Sequence, residues 1–556
     1  MNMNRLEKVI LLLSFFALWG ILGAYAGGPI FSDEFLYINA GLINQAEPNY
    51  GNRFFHVYLQ KLFMDVAPTP LWGVRFFWGF LIALTAVLIY TNARSLLKKN
   101  NILHGFIAVA LFFTFSLITD YSGEPAVDIT AMAMTILYVT IYLTAVREPE
   151  KRNLMVIFLG ALAFLSFKTK ETTIFVNLLL LGFLADEEGK WHWRRVLELA
   201  KPFMMGLAAA VGLFIVLDGL ILGEPFFAIS PATFNAVFTN YTFEPGFFID
   251  PISWYKVYFL DEILLVFWLY IISGVALRDQ LNPQLRLLWL YPLVLAAFIT
   301  LNMLKVTFGY IERFYYPALP VVAVLAPQFL RFELPRTRRQ WIGFGTLAVL
   351  SMLLLLVLRS AMMAYSDSLN FAFPSFLDSI FYPFILSGLF SGVLWAKKYS
   401  WLGVIIPLFC LAAMLFNPLT YSYKYFFRYP KVQERYDEIF YPFETLKEEL
   451  ALGERDTLVV SASLADEADM LRPDPNEIVG MYNFYFDARI DQENVIIGYS
   501  RDDLPYALTS PGVTRAIISW EDWGWLSTQQ AARREIEDLF NIFPDPQENF
   551  YFLSSK

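Results

Sequence analysis

Long apolar runs recur through the first 420 residues, and they constrain the fold more than any other feature of the chain. A run of roughly 20 apolar residues can cross the hydrocarbon core of a bilayer as a helix. We read thirteen such spans, near residues 8–28, 71–90, 102–119, 127–146, 154–168, 172–186, 202–222, 261–277, 286–305, 315–332, 341–358, 375–396 and 400–420. The fifth and sixth spans are short and meet around Lys168–Glu171. A hairpin of tilted or re-entrant helices there is an alternative that changes the count.

Composition divides the chain into two parts. Overall, 57% of the residues are hydrophobic and 17% are charged, against about 25% charged in soluble domains. Residues 421–556 contain 25 acidic and 13 basic side chains, whereas residues 1–420 have a net charge of +3. We therefore predict an α-helical polytopic membrane body at 1–420, followed by a soluble α/β domain at 421–556. The acidic balance excludes a basic nucleic-acid binder, and the single Cys410 excludes a disulfide scaffold.

Lysine and arginine in short loops predict the orientation, because they favour the cytoplasmic side of a membrane. The loops that share this enrichment alternate along the chain and contain Arg94/Lys98/Lys99, Arg147/Lys151/Arg152, Lys190/Arg194/Arg195, Arg278/Arg286, Arg331/Arg336/Arg338/Arg339 and Lys397/Lys398. A cytoplasmic N-terminus makes all of these loops cytoplasmic, and thirteen spans then place residues 421–556 outside. As an alternative, Ala24-Tyr25-Ala26 resembles a signal-peptidase site. Cleavage there would leave twelve spans and the same outside domain.

The predicted outside segments have their own patterns. Long outer loops are expected at 29–70 and 223–260. In the first loop, apolar residues at 55, 58, 59, 62 and 63 share one helical face, which predicts a helix lying in the outer interface. In the soluble domain we predict strands at Thr457–Val460, Val495–Gly498 and Ala516–Ile518, and a helix at Thr528–Phe540.

Carboxylates stand at two outer junctions of the predicted topology. Asp33 and Glu34 directly follow the first span, and Glu124 and Asp128 lie at the start of the fourth. Charged groups at the membrane are costly and are often functional. The alternative is helix capping, because acids in a first turn complement the helix dipole. Asp128 fits capping less well, since it lies about one turn inside an apolar helix.

Cations and one histidine complete the set of outer polar residues. Lys168 and Lys170 lie in the turn between the fifth and sixth spans, and Arg313 precedes the tenth. Each could contact a phosphate, and an arginine can do so with two hydrogen bonds. The alternatives are snorkelling lysines and an interfacial arginine anchor. On this topology His56 is the one histidine outside. It could complete a metal site with Asp33 and Glu34, or be an ordinary surface histidine.

Together, these features resemble the GT-C glycosyltransferases that use polyprenyl-phosphate sugars, of the protein O-mannosyltransferase and lipid A aminoarabinose transferase type. The resemblance rests on Ser32-Asp33-Glu34 after the first span, the long first outer loop, the turn Phe167–Glu171 and the segment Glu312–Pro320. Two departures stand out. The family's His-Pro-Pro segment is replaced by Gly51–His56, which has no proline, and its Arg-Tyr pair is Arg313-Phe314 here.

The resemblance implies transfer of a sugar from a polyprenyl-phosphate carrier to a hydroxyl of a glycan, lipid or protein acceptor at the outer membrane face. It implies catalytic roles for Asp33 and Glu34, with Asp33 as the general base of an inverting displacement. The acceptor, or a divalent ion such as Mg²⁺ or Mn²⁺, would be positioned by Glu124, Asp128 and His56. The donor phosphate would be bound by Arg313, Lys168, Lys170 and Arg53. A flippase for lipid-linked saccharides and a non-catalytic surface scaffold are the alternatives.

Overall fold

The computed structural model describes residues 5–25, 32–43, 53–96, 102–113, 127–185, 190–233, 282–303, 315–329, 457–461, 495–498, 501–544 and 550–556, with single positions at 270, 271, 273, 274, 277 and 338. The described part of residues 1–420 is helical. Its α-helices are α1 (Arg5–Tyr25), α2 (Ser32–Ile43), α3 (Phe54–Val66), α4 (Pro70–Ser95), α5 (Ile102–Phe112), α6 (Val127–Arg147), α7 (Arg152–Phe167), α8 (Arg194–Leu217), α9 (Pro283–Met303) and α10 (Leu319–Leu325). Shorter 3₁₀ and π segments extend or connect them, at Pro149–Lys151, Asp218–Leu222, Phe227–Ile229 and Ala326–Phe329.

The predicted spans up to residue 222, and those near 286–305 and 315–332, coincide with helices. The spans after residue 340 lie outside the described residues, and 261–277 is described only at single positions. The short sixth span is a 3₁₀ helix, Glu171–Leu184. Because a 3₁₀ helix rises about 2 Å per residue, its 14 residues extend about 28 Å. This stretched geometry lets a short segment approach the thickness of a bilayer core.

Within the described residues, four helices are long and apolar enough to cross a membrane: α1, α4, α6 and the continuous segment Arg194–Leu222. α4 and α6 are mostly buried inside the bundle, whereas α1 and Arg194–Leu222 expose most of their surface. Their exposed side chains include Leu13, Phe16 and Leu197. An apolar surface of this extent is typical of contact with lipid. The chain is a multi-pass membrane protein.

The two buried helices run in the same direction. Near the start of α4, Phe77 contacts the same histidine ring that hydrogen-bonds the start of α6. Near the ends of both helices, the Asn92 amide donates to Thr140 at 2.8 Å. At that end Arg94 also pairs with Glu7 of α1 at 2.8 Å. We call the opposite end, where α4 and α6 begin, the polar end of the bundle.

α7 and α8 cross at two glycines. A side chain at Gly160 would meet the backbone of Phe203, and one at Gly206 would meet the backbone of Ile157. Small residues let membrane helices approach this closely, so that packing replaces the missing hydrophobic driving force. The contact holds the end of α7, and the turn that follows it, against α8.

Within the described residues of the C-terminal part, five strands form one mixed sheet in the order β2-β1-β3-β5-β4. The strands are β1 (Thr457–Ser461), β2 (Val495–Gly498), β3 (Val513–Ser519), β4 (Phe540–Pro544) and β5 (Phe550–Ser555), and the helices are α11 (Leu504–Leu508), α12 (Trp520–Thr528) and α13 (Gln530–Leu539). β1 is parallel to both neighbours, whereas β5 is antiparallel to β3 and β4. The three strands and the helix predicted here are confirmed. Trp520 stacks on Tyr551 with ring centroids 4.7 Å apart.

Candidate active site

α3 is the element around which the candidate site is built. The helix predicted in the first outer loop is confirmed, but its buried surface is wider than the predicted face. Leu62, assigned to the apolar face, is 57% exposed, while the polar His56 and Gln60 are buried. The reason is tertiary packing, because α3 contacts α2 and α4 and also touches the start of α6 and the segment after α8. Because other elements cover α3 from two sides, its exposed residues do not form a single solvent-facing surface.

Arg53 and Glu171 join the start of α3 to the turn after α7. The Arg53 guanidinium donates to both Glu171 carboxylate oxygens, at 2.6 and 3.3 Å. Next to this pair, the Phe55 amide donates to the Lys168 carbonyl at 3.1 Å. A bidentate arginine–carboxylate pair is geometrically specific and stronger than a neutral hydrogen bond. It orders the predicted donor-binding residue Arg53 before any ligand arrives.

Lys170 forms a buried ion pair with Asp128. The ammonium of Lys170 contacts the Oδ1 atom of Asp128, and both side chains are almost completely buried. Asp128 is the second residue of α6 and lies in its first turn, not one turn inside the helix as the sequence indicated. Because the pair is buried, removing either partner would leave an uncompensated charge.

Lys168 is the centre of a second buried network. Its ammonium donates to the carbonyl of Ala228 and lies near the carboxylate of Asp218. Asp218 accepts hydrogen bonds from the Tyr58 hydroxyl at 2.5 Å and from the Ala228 amide at 2.8 Å. Burial and the Asp218 carboxylate raise the pKa of Tyr58, so its phenol stays protonated and donates. The network closes the segment 218–228 against α3 and the end of α7.

The local backbone explains how Ala228 returns to Asp218. Residues 218–222 form a π-helical turn at the end of α8, a distortion that is frequent at functional sites. Gly223 and Phe226 then take positive φ angles of 73° and 81°, and the chain turns back. For Phe226 this conformation is strained, so the contacts that follow it must hold it in place. Sequence reasoning missed Tyr58 and Asp218, although an aspartate within an apolar run was a usable signal.

His56 lies on the opposite side of α3 from Tyr58. Its Nδ1 atom and the Thr130 hydroxyl share a hydrogen bond of 2.8 Å. Its ring lies between Tyr37 of α2 and Phe77 of α4, with centroids 5.7 and 5.5 Å away. Burial and the nearby Arg53 cation lower the pKa of His56 to about 3. The imidazole is therefore neutral.

Asp33 and Glu34 lie in the first turn of α2, one turn before Tyr37. Their backbone is described and their side chains are not. Because Tyr37 contacts His56, α2 packs against α3 close to the start of α6. Glu124 and Arg313, the remaining predicted site residues, lie outside the described residues. Five of the predicted site residues are thus brought together at one end of the bundle: Arg53, His56, Asp128, Lys168 and Lys170.

Metal binding was tested among the described residues. Within them, no three His, Cys, Asp or Glu side chains converge as a set that could hold an ion. The expected participation of Mg²⁺ or Mn²⁺ stays a prediction. The side chains on which it chiefly depends, those of Asp33, Glu34 and Glu124, are not among the described ones.

Comparison with known proteins gives a partial family match and a shared fold. Residues 52–219 match the family described as dolichyl-phosphate-mannose-protein mannosyltransferase. The structure is similar to that of ArnT from Cupriavidus metallidurans bound to undecaprenyl phosphate, with a TM-score of 0.60, 12% sequence identity, and coverage of 98% of this chain and 97% of that chain. The apo form of the same ArnT matches with a TM-score of 0.58, at the same identity and coverage. No protein of curated function has significant sequence similarity to this chain.

A more distant structural match is the oligosaccharyltransferase of Archaeoglobus fulgidus, with a TM-score of 0.43, 10% identity, and coverage of 99% of this chain and 74% of that chain. The family match covers the segment that contains α3, Asp128 and the Lys168–Glu171 turn. The similarity to ArnT shows that the two proteins share a fold.

Proposed function

We propose that the protein transfers a sugar from a polyprenyl-phosphate carrier to an acceptor hydroxyl on the extracytoplasmic side of the membrane. One observation carries the proposal: the described segments that bear Arg53, Asp128, Lys168 and Lys170 meet at the polar end of the bundle. The match to an ArnT that binds undecaprenyl phosphate supports the choice of donor. The proposed topology has thirteen spans, a cytoplasmic N-terminus and residues 421–556 outside.

Asp33 is the proposed general base. A hydroxyl is a poor nucleophile, so a carboxylate must accept its proton as the new glycosidic bond forms. The acceptor oxygen attacks the anomeric carbon as the bond to the phosphate oxygen breaks, and the configuration inverts. A single base is sufficient for this displacement, unlike the two carboxylates of a retaining hydrolase. Glu34, Glu124, Asp128 and His56 are proposed to position the acceptor or a divalent ion.

The leaving group is a polyprenyl phosphate anion, so cations should stabilise the charge that develops on it. Arg313 is the first proposed contact, followed by Lys170 and Arg53. The carboxylate partners of the last two, Asp128 and Glu171, would hold these cations in place before the donor binds. Lys168, which lies in the same turn as Lys170, would contribute through its buried positive charge.

The decisive experiment is transfer by purified protein supplied with a panel of radiolabelled polyprenyl-phosphate monosaccharides and a membrane-extract acceptor. We expect wild type to form a covalent product, and Asp33→Asn to abolish transfer while still binding donor lipid. Asp65→Asn is the matched control, because Asp65 is an exposed carboxylate on α3 that pairs with Lys61. Full activity of Asp33→Asn would remove the base assignment. Movement of unaltered lipid without product would support a flippase.

Arg313→Ala provides the test of the donor site. We expect weaker donor binding and slower transfer, with an unchanged dependence on acceptor concentration. An unchanged donor dependence would exclude Arg313 from the phosphate site. Adding a chelator and then restoring Mg²⁺ or Mn²⁺ tests the metal proposal, since a metal-dependent enzyme loses and regains activity in that order.

A further inference from the structure

Two buried polar side chains on one face of α3 have functional groups that the fold does not use. His56 and Gln60 are one helical turn apart, and each is only 1% exposed. Among the described residues, the His56 Nε2 atom and both polar atoms of the Gln60 amide have no hydrogen-bond partner. An unsatisfied buried polar group destabilises a fold, so native structures contain few of them. Three such atoms on adjacent turns indicate a place prepared for a ligand.

The surroundings of this pair restrict where the ligand lies. The His56 ring is flanked by Tyr37 and Phe77, and Thr130 fixes its orientation through Nδ1. The Nε2 atom is therefore the one that remains available. Gln60 follows on the same face, toward the part of α3 where Phe63 packs on Phe77. His56 thus lies at the junction of α2, α4 and α6, and Gln60 follows one turn later on the same face of α3.

The charge of this face restricts what the ligand is. His56 is neutral, and Gln60 is an uncharged amide with both donors and an acceptor. The described cations of the site, Arg53, Lys168 and Lys170, are held in ion pairs or networks with Glu171, Asp128 and Asp218. A phosphate or carboxylate would gain no charge compensation from His56 and Gln60. Uncharged hydroxyl groups match this face, because each can donate a hydrogen bond to one of these atoms and accept one from another.

We propose that His56 and Gln60 bind the hydroxyl groups of the sugar carried by the lipid donor, and that Gln60 contributes to the choice of sugar. The inference rests on the proposed function and names the part of the donor that this face recognises. An amide can engage two neighbouring hydroxyls at once, as a planar group with a donor and an acceptor side by side.

Gln60→Leu tests the proposal, because leucine is of similar size and removes the amide. The probes are polyprenyl phosphate alone and the polyprenyl-phosphate monosaccharide that wild type transfers. We expect binding of the sugar-bearing lipid to weaken about tenfold, and binding of the bare lipid phosphate to remain unchanged. The melting temperature of the ligand-free variant should equal or exceed that of wild type, since an unsatisfied buried amide has been removed.

Gln328→Leu is the matched control. Gln328 is a buried glutamine whose Nε2 atom donates to the carbonyls of Ala93 and Val324, at 3.0 and 2.8 Å. Its replacement should lower the melting temperature and leave the ratio of the two lipid affinities unchanged. Gln60→Met repeats the test with a flexible side chain if the leucine variant does not fold.

The outcomes separate the two proposals. If the Gln60 variants bind and transfer the sugar-bearing lipid as wild type does, the amide does not contact the sugar. The inference then fails, while the proposed function stands. If wild type transfers no sugar from the panel, the proposed function fails first. Donors lacking single hydroxyls add a finer readout. One of them should bind wild type and Gln60→Leu equally, and equal losses for every deoxy donor in both proteins would contradict the inference.

Discussion

The two sides of α3 differ in whether their described buried polar groups have hydrogen-bond partners. On the side of Tyr58, the structure describes a connected network in which Lys168, Asp218 and Ala228 satisfy one another. On the side of His56, one ring nitrogen is satisfied by Thr130, while the rest of the polar surface, including Gln60, has no described partner. The same 13-residue helix thus has hydrogen-bonded buried polar groups on one side and buried polar atoms without described partners on the other.

The difference teaches which residues hold the site and which contact ligands. A satisfied buried network stabilises a single arrangement and resists change, because removing one member exposes the others. Buried polar groups without partners lower the stability of the fold, and proteins retain them where they contribute to ligand binding. Lys168, predicted from the sequence as a phosphate ligand, belongs geometrically to the first class. Gln60, which the sequence did not single out, belongs to the second.

The largest expected effect comes from breaking the network at Asp218. Asp218→Ala removes the acceptor of two hydrogen bonds and leaves Lys168 buried without its carboxylate. We expect a loss of about 3–5 kcal/mol in the free energy of unfolding, measured by denaturation in detergent micelles. The control Asp65→Ala removes an exposed carboxylate and should change stability by under about 0.5 kcal/mol.

The double variant Lys168→Met, Asp218→Leu sharpens this result. It replaces both charged groups by apolar ones and should recover most of the lost stability. If the double variant stays as unstable as Asp218→Ala, the network does not stabilise through its charges. Transfer by the recovered variant then measures what Lys168 contributes to the donor site apart from the fold.

A smaller effect is expected from pH on the other side of α3. The pKa of His56 is lowered to about 3 in the folded protein, against about 6.5 in an unfolded chain. Between these values the unfolded state binds one more proton, so stability falls as pH falls. The slope is about 1.4 kcal/mol per pH unit, or about 2 kcal/mol from pH 6.5 to 5. His56→Asn should remove this part of the pH dependence, and an identical slope in both proteins would contradict a neutral buried His56.

Tyr58→Phe should have the smallest effect of the three. It removes a single hydrogen bond to the Asp218 carboxylate and leaves the ring contact with Phe214 intact. We expect a loss of about 1.5 kcal/mol in the free energy of unfolding. Tyr506→Phe, at a site that is 81% exposed, is the control and should be neutral. A loss at Tyr58 as large as that at Asp218 would mean that the phenol, rather than Lys168, anchors the network.

Local patterns predicted the elements of this fold well. The spacing of residues 55, 58 and 59 predicted α3, and the short β-branched runs predicted β1 and β2. Segregation of the polar residues to one end followed from loop charges, because charges cannot be left within the bilayer. The predicted carboxylate Asp128 lies there for that reason.

Pairings were beyond what the sequence could predict. Tyr58 and Asp218 are 160 residues apart, and neither has a spacing motif that points to the other. Which lysine pairs with Asp128 depends on the three-residue turn between α7 and the following 3₁₀ helix. An apolar run does not reveal whether a segment forms an α-helix or a 3₁₀ helix. The missing partners of Gln60 could be recognised only after the surrounding helices had been placed.

The strand order of the C-terminal sheet has a consequence for synthesis. β5 is made after the four other strands, yet it lies between β3 and β4. Among the described strands, β4 pairs with β5 alone, so within this sheet it has no ladder partner until residue 555 has left the ribosome. The parallel half, β1 to β3, can assemble earlier, but the sheet is completed only at that late point. The two halves of this sheet should therefore form in sequence, and chains that stop before Phe550 should leave β3 and β4 without β5 between them.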